Sequence, residues 1–243
     1  MQRNEMDRSG KIIIRICIFS IILSLTALVL SAFFNYWTNN KKVNVESSPF
    51  PTIVIDAGHG GIDGGAVAKD GTKEKDLNLS LAFVLSDMLK SSGFDVILTR
   101  ENDEILTLEN ATGTRKMQDL NKRLSIVNET DDCILVSLHM NKFTQEKYSG
   151  VQVFYSPNNG SSLALADLIQ KNVKTYIQNN NERTTKKAGS NIYLLDKTNA
   201  VAVLVECGFL SNPNECELLK NEGYQRQLAS VICMSVVEFF DQM

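Results

Sequence analysis

The sequence predicts an α/β domain of three layers, in which helices flank a mostly parallel, twisted sheet of about six strands, behind an N-terminal transmembrane helix. Three observations support this. Strand-like and helix-like segments alternate from residue 52 onward. The early strand candidates are unbroken apolar runs, as expected of strands covered on both faces. A long charge-free apolar stretch precedes them all. At 243 residues, 43% hydrophobic and 22% charged, the chain suits one domain with an appendage, not a disordered or fibrous protein.

Residues 1–11 form a basic segment expected in the cytoplasm, and 12–37 a signal anchor. Residues 38–51 are a polar linker, and 52–243 the catalytic domain. The 19 residues from Ile16 to Phe34 carry no charge. As a helix they span about 28 Å, close to the hydrocarbon thickness of a bilayer. Arg3, Arg8, Lys11 and Arg15 lie ahead of them, and this basic excess keeps the N-terminus inside and sends the domain out. Tyr36 and Trp37 stand where interfacial aromatics sit. A cleaved signal peptide is the alternative, and the domain would then be secreted.

Thr52–Asp56 reads as the first buried strand. Residues 57–71 hold six glycines and form a loop that must approach something closely. Residues 75–92 form a helix, with Leu77, Leu81, Val84, Leu85, Met88 and Leu89 at helical spacing and Gly93 as the stop. Asp95–Thr99 is a strand. Residues 115–128 are a helix with Met117, Leu120, Leu124 and Val127 inward. Cys133–Leu138 is the third buried strand, and the alternating 150–155 stretch lies nearer an edge. Residues 161–178 are an amphipathic helix. Asn191–Leu195 and Val201–Val205 are further strands. Pro213 opens a short helix, and 224–240 closes the chain as another.

A net charge of −3 excludes non-specific nucleic-acid binding as the main role, which needs a basic face. Five scattered cysteines with no CxxC pair exclude a thiolate zinc finger and a disulfide framework. In open α/β sheets, ligands bind beyond the carboxyl ends of the strands. Both histidines of the chain fall there: His59 after the first strand and His139 after the third. Glu206 follows the last strand. Two imidazoles and a carboxylate make a three-ligand zinc site with an open position, and a further carboxylate can act as base. The ligand carboxylate lies among Asp56, Asp63, Asp70, Glu74 and Asp76, which spacing alone does not separate.

Four segments in order, Ile53–Ala66 (IVIDAGHGGIDGGA), Glu74 with Asp76-Leu77-Asn78, Ser137–Asn141 (SLHMN) and Val205–Asn212 (VECGFLSN), resemble the zinc-dependent N-acetylmuramoyl-L-alanine amidases of the Amidase_3 type. A single domain behind an anchor is similar to the sporulation amidases among them. The resemblance implies one Zn²⁺ held by His59, Glu74 and His139, with Glu206 as the catalytic glutamate. It implies hydrolysis of the lactyl amide between N-acetylmuramic acid and L-alanine in peptidoglycan. It further implies a part in spore-cortex muramic-δ-lactam formation, and hence germination, at the forespore membrane facing the cortex. Asn141 is a candidate to orient substrate, and an accessory protein partner fits an enzyme that attacks the wall. The competing readings are a silent wall-binding module and a zinc hydrolase of another wall amide. Gly64, Asp196 and Cys207 depart from the family's usual residues, and Cys207 is expected to pack on the strand face opposite Glu206.

Overall fold

The computed structural model describes residues 8–39, 50–107 and 112–242. The chain divides into two compact units, Met1–Ser47 and Ser48–Met243. In the first, α1 (Arg8–Asn39) is one helix. Its stretch Gly10–Tyr36 has a mean hydropathy of 2.6 and is the one helix among the described residues long and apolar enough to cross a membrane. Of the linker expected over 38–51, residues 40–49 lie outside the described residues, as do the basic residues before Arg8, while Asn39 ends α1.

In the second unit the elements run β1 (Thr52–Ala57), α2 (Glu74–Ser91), β2 (Val96–Leu98), α3 (Arg115–Glu129), β3 (Cys133–Asn141) and β4 (Gln152–Tyr155). They continue α4 (Ser161–Tyr176), β5 (Lys186–Lys187), α5 (Tyr193–Lys197), β6 (Val201–Phe209), α6 (Pro213–Lys220) and α7 (Glu222–Asp241). The six strands lie in the order β2-β1-β3-β6-β4-β5. All neighbours are parallel except β4 against β6. The expected mostly parallel, three-layer architecture is what forms.

The sheet buries both faces, which is why its central strands read as unbroken apolar runs. Ile53, Ile55, Val136, Leu138, Val203 and Val205 face a core closed by α2, α4, α6 and α7. Val54, Leu135, Ala202 and Leu204 face a smaller core, with Leu194 and Leu195 of α5 and Val127 of α3. On α2, Leu77, Leu81, Leu85 and Leu89 fall at fourth positions and form its buried stripe.

Two sequence expectations are corrected. Asn191–Leu195 is not a strand. Tyr193–Lys197 is one helical turn, with Asp196 N donating to Ile192 O and Thr198 N to Leu194 O. An apolar run this short does not reveal its period. Leu194 and Leu195 are both buried, whereas a strand would send neighbours to opposite faces. Asp196 therefore sits on a helix, paired with Lys197. On α3, Val127 is buried as expected, but Met117 is exposed, and Asp119 and Arg123 turn inward.

That turn of α3 has an electrostatic cause. Asp56 at the end of β1 is buried, and Arg123 meets it, Nη1 to Oδ1 at 2.6 Å. All five guanidinium N–H groups are used. Nε and Nη2 donate to Asp119, Nη1 to Asp56 and Ala57 O, and Nη2 to His59 O. Burial opposes ionisation of Asp56, but Arg123, His139 and the Ser137 hydroxyl outweigh it and hold its pKa at about 2. Arg123→Met would leave Asp56 and Asp119 without their counter-charge. We expect a loss of about 3–5 kcal/mol in unfolding free energy, measured by chemical denaturation.

Candidate metal centre and active site

The strands run further than their apolar runs suggest. β3 continues through His139 to Asn141, and β6 through Glu206 to Phe209, so His139 pairs directly with Glu206 across the parallel ladder. Even-numbered residues of β6 face α3 and α5, which puts Glu206 on that side and Cys207 on the other. Cys207 is fully buried in the larger core. Burial, then the charges of Glu206 and Glu74, push its thiol far above the ordinary range, so it stays protonated and packs.

His59 enters from the loop after β1, and Glu74 from the first residue of α2. His59 Nε2 lies 3.2 Å from Glu74 Oε1, and His139 Nδ1 lies 2.9 Å from the same oxygen. The imidazole centroids are 5.0 Å apart and the rings nearly perpendicular, at 79°. One donor atom from each of His59, Glu74 and His139 falls within 4.8 Å of the others, a set able to hold a metal ion. Of the carboxylates left open by sequence spacing, Glu74 meets the imidazoles. Asp63 meets the far side of His59, Oδ2 to Nδ1 at 3.0 Å. Asp56 binds Arg123, and Asp70 pairs with Lys220.

The surrounding backbone holds this arrangement. Glu74 Oε2 accepts from Ala66 N and Oε1 from Met140 N. Asn78 Nδ2 donates to Gly58 O, tying α2 to the first loop. His59 is left-handed at φ 63°, a conformation that costs a non-glycine residue roughly 1–2 kcal/mol. Its carbonyl is held by Arg123, and those of Ala57 and Gly58 by Arg100. Two glycines are required by close approach. A Cβ at Gly58 would meet the His139 ring at 2.3 Å, and one at Gly65 would meet Glu74 Oε2 at 2.6 Å. A Cβ at Gly64 would meet only Lys73 Cδ, at an ordinary 3.8 Å.

The electrostatics divide the two glutamates. Burial opposes the charge on Glu74, but hydrogen bonds and charge from both imidazoles hold it well below the carboxylate range. Glu206 has no such partner. Its Oε2 is buried with no hydrogen bond. Burial pushes its pKa up to about 7, with Glu74 adding to the rise and the two imidazoles opposing it. Burial would lower His59, yet Glu74 and then Asp63 raise it to about 9. A cleft of about 250 Å³ opens beside these groups, lined by His59, His139 and Glu206 and walled by α3 and α5. Asn141 is not among its lining residues, and its Oδ1 accepts from Lys142 N. Sequence reasoning missed Arg123 and Asp119. The available signal was a charged pair four residues apart, in register with inward Val127.

Known proteins share this architecture. The model of the Amidase_3 family, N-acetylmuramoyl-L-alanine amidase, matches residues 53–238. The chain is 35% identical over 220 residues to the germination-specific N-acetylmuramoyl-L-alanine amidase of Bacillus subtilis (strain 168), covering 88% of this chain and 92% of that one. The CwlD amidase from Clostridioides difficile, solved in complex with the GerS lipoprotein, superposes with a TM-score of 0.75 at 41% identity, over 79% of this chain and 100% of that one. The amidase AmiC2 of Nostoc punctiforme gives 0.67 at 27% identity, over 79% and 97%. With its fold, its ordered motifs and its family match in agreement, the chain is an enzyme that belongs to the N-acetylmuramoyl-L-alanine amidases of the Amidase_3 type.

Proposed function

We propose that this chain hydrolyses the lactyl amide of peptidoglycan with one zinc ion held by His59, Glu74 and His139, and with Glu206 as general base. The observation that carries this is the buried, unpartnered Oε2 of Glu206 on the strand position paired with His139. The donor set fits zinc: two imidazole nitrogens and one carboxylate oxygen, the three-ligand set that leaves a catalytic zinc one open position. His59 faces a carboxylate on each side, so its Nε2 proton is the one a cation replaces while Asp63 keeps the Nδ1–H and fixes the ring. When bound, the ion supplies Lewis-acid polarisation of the scissile carbonyl and acidifies water.

The chain's own groups do the rest. Glu206 accepts the proton of the attacking water and returns it to the amine nitrogen of the departing alanine. Its raised pKa marks a carboxylate with high proton affinity, and a bound cation would lower it. Glu74 stays ionised throughout. Leu120 of α3 and Leu194 of α5 wall the cleft with apolar surface beside the reacting amide. Asn141, at the end of β3, orients the neighbouring loop, and through it the substrate, from outside the cleft.

Zinc and protons compete at His59. The metal-free protein holds a proton there up to about pH 9, against an ordinary value of 6.5. That proton's contribution to stability is present below pH 6.5 and is lost as pH rises through about 9. Zinc binding at pH 7.5 is therefore expected to release a proton. Calorimetry in buffers of different ionisation enthalpy measures it, and zinc affinity should rise between pH 6.5 and 9.

The apolar helix α1 would anchor the domain outside the cytoplasmic membrane, or export it if cleaved. Likeness to a germination-specific amidase supports a role in making spore-cortex muramic-δ-lactam, at the forespore membrane. Likeness to an amidase solved with a lipoprotein supports an accessory protein partner. Digestion of purified peptidoglycan, with and without a chelator, tests the reaction by product mass. Free stem peptide that vanishes on chelation supports it, whereas loss of D-alanine or of acetate assigns another wall amide.

A further inference from the structure

The basic side chains lining the cleft can be followed to their hydrogen-bond partners, and one makes none. Arg123 spends all five N–H groups on protein oxygens. His59 and His139 turn to Glu74. Lys116 lines the same cleft, is exposed, and has no ion pair or hydrogen bond among the described residues. The nearby acid, Asp63, is committed through Oδ2 to His59 and through Oδ1 to Gly65 N.

The position of Lys116 is unusual for its helix. It stands in the first turn of α3 beside Arg115, and no acid is there. The positive end of a helix disfavours a cation there, and the acid whose charge reaches Lys116, Asp63, already serves His59. The cleft wall below is apolar, built from Leu120, Ile192, Leu194 and Leu204. An apolar wall with an ammonium at its edge that makes no hydrogen bond suits a small uncharged group followed by an anion.

We propose that Lys116 is a specificity-determining residue that receives a carboxylate of an acidic stem peptide, while the apolar wall takes the alanine beside the scissile amide. This rests on the amidase reading and adds the identity of the group that binds next to it. The second residue of a stem peptide carries either a free carboxylate or a carboxamide, and an ammonium distinguishes the two by charge. Lysine, a compact charge on a flexible stem, suits a partner reached at the rim.

The test uses the full-length, zinc-loaded protein in detergent and two muropeptides that differ only in that group. The wild type should favour the free acid by about 5- to 50-fold in kcat/KM, mainly through KM. Lys116→Gln should bring the two substrates to within about twofold by weakening only the acid. Lys116→Arg should keep the preference and Lys116→Glu reverse it. Binding of an L-alanyl-γ-D-glutamyl peptide to the Glu206→Ala protein should weaken in step on Lys116→Gln. Equal cleavage of both substrates by the wild type, or an undiminished preference in Lys116→Gln, overturns this inference alone. Release of no stem peptide from either substrate overturns the amidase reading and this inference with it.

Discussion

Glu206→Ala is expected to stop stem-peptide release while the protein keeps its zinc. The side chain lies on the strand position opposite His139 but bonds to none of the three proposed ligands. On the proposed mechanism its removal takes the base from the reacting water and leaves the metal's donors in place. General-base catalysis is worth about 10²- to 10⁴-fold, and the loss should fall on kcat. Stability should hold or rise, because an unpartnered buried oxygen is removed. Zinc content by elemental analysis and muropeptide turnover by mass spectrometry read the two effects separately. Cleavage at the wild-type rate would remove Glu206 from the mechanism.

His139→Ala should do the reverse, losing metal and activity together. Its Nδ1 is one of only two imidazole nitrogens facing Glu74, and no cysteine can replace it, since Cys207 faces the opposite core. Partners that merely orient a ligand cost about 10- to 100-fold in metal affinity when removed, and loss of a ligand should cost more. With the ring gone, Glu74 keeps its bonds from Ala66 N and Met140 N and its contact with His59. The fold should therefore survive, and circular dichroism should be unchanged while zinc is absent. Full retention of metal would place the site elsewhere.

Much of this site was legible because polar residues interrupt otherwise apolar strands. His139 and Glu206 stand out at the ends of CILVSL and AVLV, and a sheet of parallel strands delivers such ends to one edge. The choice of Glu74 over Asp63 was not legible from spacing. Both lie near His59, and the fold uses both, one on each ring nitrogen. The face of α3 was misjudged because apolar counting favours Met117 over Arg123. Only the burial of Asp56 explains why a guanidinium turns inward, and that is a property of the packed sheet. β5 left no trace in the pattern. It is two lysines long, a short charged strand of the kind that protects a sheet edge. α5 was misread for a different reason, since five residues are too few to separate a period of 2 from one of 3.6.

The most direct measurement is anomalous diffraction at the zinc edge from crystals of the zinc-loaded protein. One ion is expected at about 2.0–2.2 Å from His59 Nε2, His139 Nδ1 and a Glu74 oxygen, with Glu206 near it but unligated. An ion bound elsewhere, or one that Glu206 ligates in place of Glu74, would contradict the account.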